Sequence, residues 1–483
     1  MTISKFFNLK KTQYELDFID IEINNDLPLF IDPYYLGMCN YSWAINANRT
    51  LENYFSLLLK YLKSKDLESA KNIFLHMNEP NETHLGLSKE KPSGRGVGPK
   101  DTEKIFENLL ESKAVTTGVV EDLEDFRIFV EGVGKDKISD LTTNIIKKHL
   151  IEYTKNQCVL WNIPLQDGIP TGFYWERKNQ NWINEYDKFP LINNMKILLV
   201  PKRIVSYSND YTPQKYLQHF VLNFLQEEHL KMNSSLVRVS RNKKGKILRK
   251  YVTKKSILNN LEEISKDFLA DFTKKHPEIF RKFKSETKKK IRYLDNEELS
   301  SDLLTKILDY LIKQLDGIPP GAEAATQYHR LTVGIIELLF YPKLTSPIVE
   351  KEIHEGRKRI DISFDNAAEK GFFFRLSTNY QIPSPFIFVE CKNYSRDVKN
   401  PELDQITGRF SPNRGKFGLI LCREIKNMDR FLNRCKDTYK DQRGLVIPLT
   451  DNDLIDMMMN FEEKGSDYCE QFLQERFRII ALN

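Results

Sequence analysis

The chain has 483 residues, 40% of them hydrophobic and 29% charged, with 73 Lys plus Arg against 67 Asp plus Glu for a net charge of +6. That length predicts two or three domains. Six scattered cysteines (Cys39, Cys158, Cys391, Cys422, Cys435, Cys469) without Cys-x-x-Cys spacing exclude a disulfide scaffold or thiolate metal cluster and point to reduced thiols in the cytoplasm. Met1-Thr2-Ile3-Ser4-Lys5 has no apolar signal core and no stretch reaches membrane-spanning length, so a soluble protein with no membrane partner is expected.

Residues 1–165 are expected to form an N-terminal recognition or regulatory module, mainly helical with some strand. Asp32-Pro33-Tyr34-Tyr35 reads as a turn entering a helix. The Gly94-Arg95-Gly96-Val97-Gly98 loop lacks both the Lys-Ser/Thr ending of a P-loop and the G-x-G-x-x-G register, which leaves a surface loop. Ser139 can cap a helix over Leu141–Tyr153. Lys196 through Val200, closed by Pro201, reads as a strand.

Residues 166–295 form a basic, mostly helical middle region. Residues 231–292 hold 20 Lys/Arg against 6 Asp/Glu, or +14, leaving −8 on the remainder. Lys243, Lys244, Lys246, Arg249, Lys250, Lys254 and Lys255 form the densest part. Such a run would neutralise phosphates and bring DNA or RNA to the protein without sequence choice. The bland alternative is a solvated helical linker. Phe272, Phe280 and Phe283 fall at helical spacing and belong to a core rather than a base-stacking platform.

The third region, 296–483, carries the chemistry. Ala322–Phe340 reads as a helix with Leu331, Ile335, Leu338 and Leu339 at helical spacing; it bears Glu337 and ends before Pro342. Arg359–Phe364 is an alternating segment with Asp361 inside it. Pro385-Phe386-Ile387-Phe388-Val389-Glu390-Cys391-Lys392 is an apolar run of strand length ending on two charges. Alternation puts Glu390 and Lys392 on one face and Val389 and Cys391 on the other. Glu-x-Lys spacing alone decides nothing, since it recurs at Glu176/Lys178, Glu286/Lys288, Glu424/Lys426 and Glu462/Lys464. Only Glu390 has both an acid-bearing strand before it and a helix after it, beginning near Pro401. A strand over Phe417–Cys422, a helix through Phe431 and a strand over Gly444–Leu449 follow. Two carboxylates and a lysine converging from adjacent strands make a site for a divalent cation and a water. A simple ion pair with Lys358, Arg359 or Lys392 is the competing explanation for either acid.

Asp361 and Glu390-Cys391-Lys392, after a helix bearing Glu337, resemble the PD-(D/E)xK phosphodiesterase superfamily, the restriction-endonuclease-like nucleases. The resemblance covers roughly residues 320–450. It implies an α/β fold for the C-terminal domain, a mixed sheet flanked by helices with an αβββαβ core, preceded by a mainly helical α+β region. It also implies metal-dependent hydrolysis of a nucleic-acid phosphodiester, with Mg2+ as cofactor (Mn2+ as substitute). By that likeness Asp361, Glu390 and the Cys391 carbonyl would bind the metal, and Lys392 would orient or deprotonate the attacking water. Glu337 would complete the site as the helix-borne acid, and Gln405 resembles the polar helix residue near such sites. Asp361 and Glu390 lie 29 positions apart, wider than the usual hairpin, and Ile360 rather than Pro precedes Asp361. The extra length is expected to hold an additional strand or a substrate loop. The architecture suits a prokaryotic restriction or antiphage-defence endonuclease acting on DNA ahead of RNA, as a homodimer or with a partner protein of a defence system. The alternatives are an inert nuclease fold that binds nucleic acid or a partner, and a nuclease for RNA or branched DNA.

Overall fold

A computed structural model describes residues 1–482 except 75, 78, 87–98, 208–210, 262–263, 290–291, 301, 354–357 and 395; the Gly94–Gly98 loop lies outside the described residues. The chain is mixed α/β, with one five-stranded mixed sheet in the C-terminal region and mostly helices elsewhere. We number the elements used below in chain order. Two long helices, α1 (Ser42–Ser64) and α2 (Lys135–Trp161), pack together in the N-terminal part. A basic hairpin joins β1 (Arg238–Arg241) to β2 (Ile247–Tyr251). The C-terminal region then runs α3 (Ala325–Phe340), β3 (Leu344–Ile353), β4 (Lys358–Asn366), α4 (Gly371–Thr378), β5 (Phe386–Lys392), α5 (Asn400–Thr407), β6 (Phe417–Cys422), α6 (Met428–Lys440), β7 (Leu445–Thr450) and α7 (Asp451–Leu482).

The sheet order is β3-β4-β5-β6-β7. The first three strands pair antiparallel, with Val349 against Ile362 and Ile362 against Val389. The last two join in parallel, with Glu390 beside Ile420 and Ile420 beside Pro448. β6 and β7 are buried at every position, which is why they read as unbroken apolar runs: helices cover both faces of the parallel half. Pro448 is tolerated because β7 is an edge strand and needs no second ladder. The opposite edge, β3, is covered by α2, whose Gln157 amide donates to the Pro347 carbonyl at 3.3 Å.

Residues on both sides of the expected boundaries at 165 and 295 share one apolar core, which runs from Ile3 to Ile480. Buried polar contacts sew the halves together. Asp17 accepts from Thr345 and Tyr153, both at 2.6 Å. Arg203 donates to the carbonyls of Pro342 and Ala367, and the Trp43 amide donates to Asp365 at 3.2 Å. Among the described residues, no helix is long and apolar enough to cross a membrane. All six cysteines are unpaired and buried.

Several local expectations need correction. Asp32 does cap a helix, accepting from the Tyr34 amide at 3.0 Å. Ser139 does not: α2 begins at Lys135 behind Gly134, and the Ser139 hydroxyl instead accepts from the Ile31 amide at 3.0 Å. Lys196–Val200 forms a strand only at Met195–Lys196; the rest is buried without a ladder. Short antiparallel strands fill much of 166–206, and the densest basic run is a hairpin, so the middle region is less helical than expected. The long stretch between Asp361 and Glu390 holds helix α4 rather than a strand, with Phe372, Phe373 and Leu376 buried against the core.

Candidate functional site

The site forms where the antiparallel half of the sheet meets the parallel half. The β4–β5 ladder ends at Ile362–Val389, and Asp361 and Glu390 are the next residues on the two strands. Strand alternation sends Val389 and Cys391 toward α3, and Glu390 and Lys392 toward α5. On that second face the Phe388 ring stacks on Phe410, with ring centres 5.9 Å apart, fixing the segment after α5 against the strand.

Lys392 is the hub. Its Nζ lies 2.7 Å from Glu390 Oε1, 3.9 Å from Asp361 Oδ2 and 3.1 Å from the Gln405 side-chain carbonyl on α5. The Arg409 guanidinium donates to the other Glu390 oxygen, Oε2. Asp361 Oδ2 accepts from the Cys391 amide at 3.2 Å. Side-chain exposure is 19% for Asp361, 8% for Lys392 and Arg409, and 1% for Glu390, so the cluster opens to solvent at Asp361. Burial lowers the pKa of Arg409, opposed by the nearby Asp361 charge. Burial, then the Asp361 charge, pushes the Cys391 thiol well up, which leaves it a neutral core side chain.

Four of the expected residues therefore converge: Asp361, Glu390, Lys392 and Gln405, with the Cys391 backbone beside them. The Cys391 carbonyl lies 3.3 Å from Nε2 of His329 on α3. Glu337, on that same helix, is elsewhere. It is fully buried with Lys202 Nζ 3.3 Å from Oε1, and burial, then the Asp17 charge, raises its pKa to about 8. His329 precedes Glu337 by eight residues, about 12 Å of helix, so the expected helix reaches the site with its other end. Sequence reasoning missed His329 and Arg409. Arg409 lies two residues past the end of α5, so helical spacing from Gln405 did not mark it. The side chains of Lys358 and Arg359 lie outside the described residues.

Two acids paired with two cations leave the cluster formally neutral. Among the described residues, no group of three or more His, Cys, Asp or Glu side chains is arranged to hold a metal ion. Magnesium asks for less: one or two carboxylates, with water and phosphate oxygens filling the remaining positions. Asp361 and Glu390 supply such an all-oxygen pair, and both Glu390 oxygens are held by cations. Two clefts of ≈ 520 Å³ lie away from the cluster, one bordered by Tyr34, Glu121 and Lys284, the other by Phe373, Phe374 and Pro383.

The basic residues lie apart from this cluster. Lys243, Lys244 and Lys246 occupy the tip of the β1–β2 hairpin, and Arg249 and Lys250 its second strand. Lys254 and Lys255 start the short helix Lys254–Leu258; Lys254 is turned back onto the Gln218 carbonyl, while Lys255 is exposed.

No solved structure matches the chain. A stretch of 153 residues, 31% of the chain, is 24% identical to the Escherichia coli (strain K12) protein described as "Putative transposon gamma-delta 80.3 kDa protein", and it spans 21% of that protein's length. Residues 8–212, which include α1 and α2 and end before the hairpin and the sheet, match the model of a family described only as a domain of unknown function, DUF8370.

Proposed function

We propose that the protein is a Mg2+-dependent endonuclease whose C-terminal region is a restriction-endonuclease-like PD-(D/E)xK domain acting on DNA in the cytoplasm, in a prokaryotic restriction or antiphage-defence role. The observation that carries this reading is the meeting of Asp361, Glu390, Lys392 and Gln405 on one sheet face. Asp361 and Glu390 would hold the cation, Mg2+ or Mn2+. When bound, such a cation lowers the pKa of a coordinated water and offsets charge on the phosphate. Lys392 would orient the attacking water as an ammonium held by the Gln405 carbonyl, or, as the neutral amine, take the water's proton. Arg409 would release Glu390 and face the incoming phosphate. The word transposon in the description of the similar E. coli protein accords with DNA as substrate.

The engagement of both Glu390 oxygens by Lys392 and Arg409 favours a second reading, an inert nuclease fold that binds nucleic acid for a partner. Purified protein, Lys392→Ala and Glu390→Ala are incubated with plasmid DNA and Mg2+ or Mn2+, with metal binding measured in parallel. Cleavage by the wild type alone supports the enzyme. Equal cutting by all three sinks the site assignment, and metal-independent binding without cleavage supports the second reading.

A further inference from the structure

We propose that the β1–β2 hairpin is a ribbon that docks into the major groove of duplex DNA. Its 14 residues, 238–251, contain seven Lys or Arg and no Asp or Glu. Ser240, Asn242 and Tyr251 are half-buried and every other residue is exposed. Among the described residues, none of the seven cations is paired with a carboxylate. Seven unshielded charges on two short strands repel one another, so the segment is complementary to a dense polyanion rather than to the rest of this chain.

The ribbon is also built to hold its shape. A lone two-stranded hairpin is marginal in water, and this one is anchored at its base. Val252 and Ile257 pack with Leu222 in a small satellite core, joined by Leu236 and Val237. At the tip, Asn242 Oδ1 accepts from the Lys244 and Lys246 amides at 3.0 and 2.9 Å, and the Asn242 amide donates to the Lys246 carbonyl at 2.9 Å. Gly245 supplies the positive φ of +78° that this turn requires. The lysines of the tip are thus presented on an ordered loop.

The distribution of charge selects the partner. Pairing of Lys250 with Val239 and of Arg249 with Ser240 puts Arg241 and Lys250 on one face and Arg238 and Arg249 on the other. Cations on both faces suit a groove, which has a phosphate wall on each side. A major groove about 12 Å wide admits a two-stranded ribbon, whereas the major groove of duplex RNA is too narrow and deep for side chains to read. A single strand calls for aromatic stacking platforms, and the ribbon's one ring, Tyr251, is half-buried with Arg249 over it at 5.3 Å. Exposed Val239, Ile247 and Leu248 would meet the apolar thymine methyl groups on the groove floor.

The test is binding without metal, so that cleavage plays no part and an inert site would leave the result unchanged. Anisotropy titrations in EDTA compare labelled duplex DNA, single-stranded DNA and duplex RNA of one sequence from 50 to 200 mM salt. Lys243→Ala/Lys244→Ala/Lys246→Ala removes three exposed charges, and an unchanged thermal midpoint checks its folding. At about 0.9 per phosphate contact, its log–log salt slope should flatten by up to about 2.7, a loss of ~40-fold in salt sensitivity over that range. Hairpin replacement, joining 238 to 251 by Gly-Ser, should remove the preference for duplex DNA. An unchanged slope in the triple variant, absence of wild-type binding, or equal affinity for single strands or duplex RNA overturns the proposal.

Discussion

Arg409→Gln asks whether the two carboxylates are arranged around an exchangeable positive charge. In the wild type Glu390 is 1% exposed, with Lys392 on Oε1 and Arg409 on Oε2. Removing one partner of a buried ion pair costs about 3–5 kcal/mol, because the other charge stays buried and uncompensated. Lys392 remains at 2.7 Å, which puts the expected loss near the lower end, about 3 kcal/mol. A divalent cation binding at Asp361 and Glu390 would replace the missing charge; at 100 times its Kd it contributes about 2.7 kcal/mol. The variant should therefore be clearly less stable than the wild type in EDTA and recover most of the difference in excess Mg2+ or Mn2+. The wild type, already neutral, should gain less. Urea unfolding of both proteins with and without metal reads the effect. Equal stability in EDTA, or the same metal-induced shift in both proteins, would refute the reasoning.

Two further predictions concern the scaffold. At pH 9, above the value of about 8 to which burial raises Glu337, Lys202→Met leaves its carboxylate facing Asp17 without a counter-charge and should cost about 3–5 kcal/mol. Because burial lifts Glu337 from its ordinary 4.5 to about 8, the folded state keeps this proton where the unfolded state has lost it; stability contributed by Glu337 should fall as pH rises between those values. The loss in Lys202→Met should accordingly be larger at pH 9 than at pH 6, and Glu337→Gln in that background should restore most of it; a pH-independent urea midpoint would contradict the assignment. Gly371→Ala and Gly168→Ala share a positive φ, +84° and +74°. The Gly168 site is open, so its cost should be about 1–2 kcal/mol. At Gly371 a methyl group would strike the Glu470 carboxylate, which accepts from the Phe372 amide and pairs with Lys343, so the drop in thermal midpoint should be at least twice as large.

The strands that flank the site were readable because full burial leaves an unmistakable mark. Phe417–Cys422 and Phe386–Lys392 are apolar runs with no solvent face to dilute them, and the two charges closing the second run announce the site. β3 was hidden by its own irregularity: Ser346 has φ +52°, Pro347 follows, and the register shifts between Thr345 and Ile348. The hairpin was hidden by composition, since the lysines that dominate its sequence say nothing about period, and the Asn242–Gly245 turn lies inside the charge run. Glu337 shows the limit most plainly. Helical spacing could assign it to a buried helix beside the sheet, but nothing in the local sequence marks Lys202, 135 positions upstream, as its partner.

Strand β4 has a mechanical consequence. Asp361 stands at the candidate site, and Asp365, four residues along the same strand, takes the amide of Trp43 at the start of α1. The interval is about 13 Å of extended backbone, clamped by β3 on one side and by β5 on the other. No hinge lies between these two carboxylates. Residues 8–212, which match DUF8370, therefore hold through Trp43 the same continuous strand that carries Asp361, with no loop between the two contacts.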